Sequence, residues 1–260
     1  SERLGISSGY KFLSQQATQE IICHFHADMV MTEGTLDAVE KYLITEVEGP
    51  NSKNGTRYFL PETKNVVCLT RIEPPIYDKP GIYPEKIIWA EAPIGIEDWN
   101  QPFFTVNLPH LIKSWGGKKT GGHFAPFFMV RDEYLRLGGN DIDSFPLQAR
   151  EDSDFAFRLI LDGFKTIQIP QFVYHFASRG NRRSEHESGN FTDNPEWQEI
   201  EKNSVRNFIR KWGTLNLHKP DLTPNKPIKF DIHFTIINST EELIYHLEPW
   251  CSTFSLNFIM

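Results

Sequence analysis

In the run Glu20-Ile21-Ile22-Cys23-His24-Phe25-His26-Ala27-Asp28-Met29, a short apolar stretch is followed at once by an imidazole and a carboxylate two residues apart. Glu20–Phe25 is rich in β-formers, as a buried strand requires. On an extended segment, side chains two apart emerge on one side, which would pair His26 with Asp28. The ends of strands in α/β sheets are where side chains reach a crevice. A histidine and a carboxylate at such a place suit Mn²⁺ or Mg²⁺. The plainer alternative is that Asp28 caps the segment that follows.

Outward from this run the chain alternates between helical and strand patterns. Before it, Gly9–Ala17 is compatible with a helix. After it, Thr35–Leu43 places Leu36, Val39, Tyr42 and Leu43 on one helical face. Asn51–Gly55 reads as a polar turn, and Asn65–Ile72 as a buried strand stopped by Pro74-Pro75. From Pro74 to about Gly117 the chain is rich in Pro, Gly and aromatics, and a long functional loop is expected there. Phe124–Arg131 predicts a strand, and Asp132–Leu137 a short helix ended by Gly138-Gly139. Asp152–Leu161 is a clear helix with Phe155, Leu159 and Ile160 along its apolar stripe. Phe164–Ile169 and Phe172–His175 read as strands broken at Pro170, Ser178–Asn194 as a polar stretch, and Glu196–Trp212 as an amphipathic helix. This order predicts an α/β fold with a mixed, mostly parallel sheet and helices on both faces.

A Pro-punctuated linker, Lys219–Pro227, separates residues 1–218 from a small unit at 219–260. In that unit Phe230–Ile237 alternates as a strand. Ser239 and Glu242 have capping-box spacing for a helix through Leu247, and Ser252–Ile259 reads as a second strand.

Composition narrows the class. The chain has 260 residues, of which 39% are hydrophobic and 23% charged, an ordinary globular mixture. No apolar run is long enough to span a membrane, and no basic-then-apolar leader opens the chain. Cys23, Cys68 and Cys251 form no CxxC pair, so they are expected to be reduced core residues of a cytoplasmic protein. The net charge of −7 points away from a nucleic-acid surface, although a local basic patch stays compatible with it.

Two further clusters carry chemistry. Arg150-Glu151-Asp152-Ser153-Asp154 opens a helix, where acidic residues are favoured by the dipole and Asp152 has the chemistry of an N-cap. His175 closes a strand, a position equally natural for a satisfied core histidine.

Taken together and in order, these pieces resemble the GT-A glycosyltransferases, particularly the family-2-like group. Phe25-His26-Ala27-Asp28-Met29 resembles the metal-binding DxD motif, with His in place of the first Asp. Thr120-Gly121-Gly122-His123-Phe124 is similar to the glycine loop beneath the donor sugar. Phe128-Met129-Val130-Arg131 and Leu137-Gly138-Gly139-Asn140-Asp141 resemble the segment before the acidic motif. Glu151-Asp152-Ser153-Asp154-Phe155, with Arg158 and Gly163, resembles the family's EDxD helix, and His175 its C-terminal metal-binding histidine. Asn207–Gly213 is similar to a common closing helix.

The resemblance implies an inverting transfer of one sugar from a UDP- or GDP-sugar to an acceptor hydroxyl, assisted by Mn²⁺ or Mg²⁺. It assigns Asp28, His175 and His26 to the metal, Asp152 to the general base and Glu151 to orienting the acceptor or the loop. Gly121, Gly122, His123, Arg131 and Asp154 fall on the donor and acceptor sides, and Arg179, Arg182 and Arg183 are candidates for a pyrophosphate clamp. The family's QxxRW element is missing after His175, which favours a single transfer over polymerisation. Only Ser1–Gln19 precede the metal strand, so most of the nucleoside-binding half is expected to be missing. The tail's strand–turn–helix–strand looks like the family's first nucleoside-binding unit, either as a permuted replacement or, the favoured expectation, as the beginning of another domain. A non-catalytic sugar- or partner-binding module, and a metal-dependent hydrolase, are the competing classes.

Overall fold

The computed structural model describes residues 5–47, 56–59, 64–117, 125–177, 183–185, 191–215, 219, 225 and 229–257. It is a mixed α/β fold organised around one long strand. In chain order the first elements are α1 (Ile6–Gln16), β1 (Ile21–His24), β2 (Met29–Met31), α2 (Thr35–Leu43), β3 (Ile44–Val47), β4 (Thr56–Phe59) and β5 (Asn65–Glu73). Then come β6 (Gly81–Ile82), β7 (Lys86–Ile88), α3 (Gln101–Trp115), β8 (Phe127–Val130), α4 (Arg131–Arg136) and α5 (Glu151–Leu161). The chain continues through β9 (Lys165–His175), β10 (Arg183–Glu185), β11 (Phe191–Asp193) and α6 (Pro195–Trp212). It ends with β12 (His233–Ile237), α7 (Glu241–Leu247) and β13 (Thr253–Asn257).

β5 is central because it is apolar on both faces. It pairs in parallel with β9 on one edge, and with β8 (antiparallel) and β7 (parallel) on the other. β1 lies outside β8, β6 outside β7 and β2 outside β9, all antiparallel. The sheet is therefore mixed, but the expectation of a mostly parallel one is corrected. Four of its six strand pairs are antiparallel: β6 returns beside β7 through a short link, while β2 and β8 run against strands that are distant in sequence and so need no right-handed parallel crossover. The four residues Phe25–Asp28 carry the chain from β1 at one margin to β2 at the other, across the carboxyl ends of β5 and β9. So short a link requires the sheet to curl.

Helices cover both faces. Val39 and Leu43 of α2 pack on Val67, Leu69, Phe128 and Val173. On the opposite face Tyr134, Phe155 and Leu159 of α4 and α5 meet Val66, Cys68, Phe127 and Met129. Phe104, Leu111 and Trp115 of α3 cover Ile72, Phe172 and Tyr174. In α2 the buried set is Thr35, Val39 and Leu43, whereas Leu36 and Tyr42 face outward, so the expected stripe is rotated.

α3 occupies the last third of the loop expected between Pro74 and Gly117, and the short strands β6 and β7 lie within the rest. Asn100 caps it by accepting a hydrogen bond from the Phe103 amide, and Pro102 sits in the first turn where its missing N–H costs nothing. Pro109 lies inside the helix, and the exposed Phe103, Val106 and Ile112 blur its apolar period.

β9 runs as one strand through Pro170. Cys68 faces Gln168 but Thr70 faces Phe172, so three residues of β9 stand opposite the single Leu69. Proline cannot donate to a ladder, and a bulge is where it is tolerated. The two surplus residues keep the alternation in phase: Ile169 and Val173 face α2, while Phe172 and Tyr174 face α3.

The tail forms its own two-stranded sheet, β12 parallel to β13 with α7 between them. Thr240 caps α7, not Ser239: its hydroxyl accepts from the Leu243 amide. Glu248 holds the tail to α6 through Arg206 and Arg210, at 2.7 and 2.6 Å.

Candidate metal centre and acidic helix start

His26 and Asp28 lie in the link between β1 and β2, a turn and not the extended segment expected, closed by the Met29 amide on the His26 carbonyl. β2 pairs with β9 so that Met29 faces His175, and the Phe176 amide bonds the Asp28 carbonyl. Turn and strand end are thereby stitched together. His26, Asp28 and His175 each offer one ligand atom, and all three atoms lie within 4.8 Å of one another. They are the one such cluster among the described residues. His175 Nε2 stands 3.5 Å from Asp28 Oδ2.

The other ring nitrogen of His175 has a partner that the sequence did not disclose. Its Nδ1 lies 2.8 Å from Oε1 of Glu73, the last residue of β5. Glu73 is 5% exposed and also meets Arg71 at 3.3 Å and Lys86 at 3.1 Å. Burial alone would raise the Glu73 carboxyl, but Arg71, His175 and Lys86 outweigh it and hold the group far below the usual carboxylate range. Burial would likewise lower the His175 pKa, yet its bonds to Asp28 and Glu73 leave it raised. His26 is lowered, by burial first and then by His175 and Arg71. A neutral imidazole is the form that binds a metal.

α1 supplies the roof of this region. Tyr10 stacks on His24 at 4.1 Å between ring centroids and faces His26 at 6.2 Å. Its hydroxyl is buried without a hydrogen bond, and burial raises its pKa strongly.

α5 brings the acidic pair. The helix starts at Glu151, so Asp152 stands in the first turn instead of capping it, and no side chain caps the end. Ala149 and Arg150 immediately before it are both left-handed, at φ 71° and 69°. Two successive non-glycine residues in that region store strain, which recurs where a site dictates the backbone. Ala177, two residues after His175, is left-handed too. Asp152 is exposed, and its Oδ1 accepts from the Ser153 amide and hydroxyl. Glu151 turns inward. Its Oε2 is buried without a hydrogen bond, and burial together with the Asp152 charge pushes its pKa up to about 8.

The chain matches no protein-family model, and no curated protein matches it.

Two expected site residues serve the scaffold instead. Asp154 is 0% exposed and meets Arg158 Nε (2.9 Å), Trp212 Nε1 (2.9 Å) and Lys211 (2.6 Å), so its carboxylate is fully engaged inside the protein. Arg131 donates to the Ser14 and Gln15 carbonyls and caps the C-terminus of α1. Gly121, Gly122, His123, Arg179 and Arg182 lie outside the described residues, and of Arg183 only the backbone, in β10, is described. Glu73 and Tyr10 are what sequence reasoning missed. A lone acid closing an otherwise apolar strand before Pro74-Pro75 was the available signal for Glu73.

Proposed function

We propose that this chain is an inverting, metal-dependent glycosyltransferase domain of GT-A type that moves one sugar from a nucleotide-sugar donor to an acceptor hydroxyl. The observation that carries the reading is the meeting of two motifs distant in sequence. His26 and Asp28 share one cluster with His175.

The donor set of two imidazoles and one carboxylate fits Mn²⁺, with Mg²⁺ the poorer match because it favours oxygen ligands. A divalent ion held there offsets the charge of a nucleoside-diphosphate leaving group. Asp152, exposed in the first turn of α5, takes the proton of the acceptor hydroxyl as that oxygen attacks the anomeric carbon. Glu151, held protonated by burial near neutral pH, donates a hydrogen bond that orients the acceptor. The strained turn at Ala149-Arg150 sets where both carboxyls point.

UDP- and GDP-sugars are the donors to test. The same reading places the protein in the cytoplasm, in keeping with three free thiols. Among the described residues no helix is long and apolar enough to cross a membrane.

Two histidines with one carboxylate also hold zinc in hydrolases, which favours a metal-dependent hydrolase as the second reading. Calorimetric titration of UDP- and GDP-sugars with and without Mn²⁺ tests the proposal, followed by turnover with and without acceptors. Asp28→Ala and His175→Ala are each expected to abolish Mn²⁺-dependent donor binding while the melting temperature stays close to wild type. Unchanged metal dependence in both variants overturns the metal centre. Donor binding without turnover identifies a binding module, and turnover indifferent to every acceptor favours the hydrolase.

A further inference from the structure

At the carboxyl ends of two neighbouring parallel strands, Glu73 and His175 lie one step beyond the last registered pair, Ile72 with Tyr174. Parallel pairing sends both side chains out on the same face of the sheet. The result is the 2.8 Å contact between Glu73 Oε1 and His175 Nδ1, the shortest of the contacts that Glu73 makes to its three neighbours.

An ionised carboxylate has only acceptor sites, so the shared hydrogen belongs to Nδ1. A neutral ring protonated at Nδ1 carries its lone pair on Nε2, the atom 3.5 Å from Asp28 Oδ2. Arg71 and Lys86 balance the Glu73 charge. A carboxylate that served only these two cations would have no need to lie against an imidazole. Metal-bound histidines characteristically donate their second N–H to such a group, which fixes both tautomer and ring plane.

We infer that Glu73 is a positioning residue: it holds His175 in the Nδ1–H form and aims Nε2 at the point shared with His26 and Asp28. This rests on the metal centre proposed above.

The test has two readouts, neither of which needs a sugar substrate. Protein labelled with ¹⁵N-histidine is examined by NMR without metal at alkaline pH, where the ring is neutral, with His175→Gln assigning the signals. Wild type is expected to show Nδ1–H at His175, and Glu73→Leu to lose that preference. Mn²⁺ affinity is then measured by calorimetry. Loss of such a partner typically weakens binding 10- to 100-fold, so a drop of about that size is expected for Glu73→Leu. Glu73→Gln retains a carbonyl acceptor and is expected to rescue part of it. Lys86→Met, which strips a cation from Glu73, is expected to stay within about twofold of wild type.

Circular dichroism checks folding, and Glu73→Gln carries the test if Glu73→Leu does not fold. An Nε2–H tautomer in wild type overturns the inference, as does wild-type Mn²⁺ affinity in a folded Glu73 variant. Failure of wild type itself to take up Mn²⁺ removes the metal centre and this role with it. That outcome shows before any substitution is made, so the two failures are distinguishable.

Discussion

At Glu151 a carboxyl is enclosed at the start of a helix with one oxygen lacking a hydrogen bond, and its pKa rises from 4.5 to about 8. The unfolded chain releases this proton first. Between those two values the folded chain holds more protons than the unfolded one, so the group's contribution to stability falls as pH rises through the window. Glu151→Gln removes that loss. Thermal melts are expected to show little change at pH 4 and a gain of several degrees over wild type at pH 9; equal melting at pH 9 would show the carboxyl to be no burden. Asp152 poses the complementary question. Asn keeps the size and the Oδ1 acceptor that holds the Ser153 amide, but not the basicity. Asp152→Asn is expected to leave the melting temperature and donor binding close to wild type while sugar transfer falls by roughly two or more orders of magnitude. Transfer near the wild-type rate would reassign the base, with Glu151 next in line.

Among the elements, α4 shows how a stop signal is used. Gly139 is left-handed at φ 65°, and a Cβ there would lie 3.0 Å from the ring of Tyr134, whose buried hydroxyl pairs with Asn140. Gly139→Ala is therefore expected to cost about 1–3 kcal/mol, read as a lowered denaturation midpoint at unchanged slope. This glycine was legible because Gly138-Gly139 follows a helical period. So were β1, β5, α5 and α6 as elements, although α5 buries Phe157 outside the expected stripe and α6 buries Trp197 and Ser204 more fully than Ile200 and Val205. α3 was not legible: Pro102 and Pro109 are loop signals, and only the packing of Phe104, Leu111 and Trp115 on β5 and β9 overrides them. Leu36 and Tyr42 of α2 looked equivalent to Val39 and Leu43 because a nine-residue helix fits more than one stripe. The three metal candidates were visible as strand-end residues. Glu73 was not visible as their companion, because its partner is 102 residues away and only strand pairing brings the two together. Asp154 and Arg131 misled for the opposite reason, since their motif positions are exposed to view in the sequence while their charges are spent on Trp212, Lys211 and the end of α1.

At the scale of the whole molecule, the tail is held to α6. Glu248 binds both Arg206 and Arg210, and Arg206 also stacks on Tyr245 at 3.6 Å. Glu248→Ala is expected to speed hydrogen exchange in β12, α7 and β13 while Mn²⁺ affinity is unchanged; a loss of affinity would show that the tail supports the centre. The bulge at Pro170 has a consequence for how this chain can change in length. Alternation in a strand has a parity, and the two surplus residues opposite Leu69 preserve it, so that Val173 and Tyr174 keep their faces and His175 stays beside Glu73. Insertions or deletions between Ile169 and Phe172 are thus tolerated in even numbers and punished in odd ones, because each odd step swaps the inward and outward sets. In a library of loop lengths at this point, Mn²⁺ retention should rise and fall with a period of two residues.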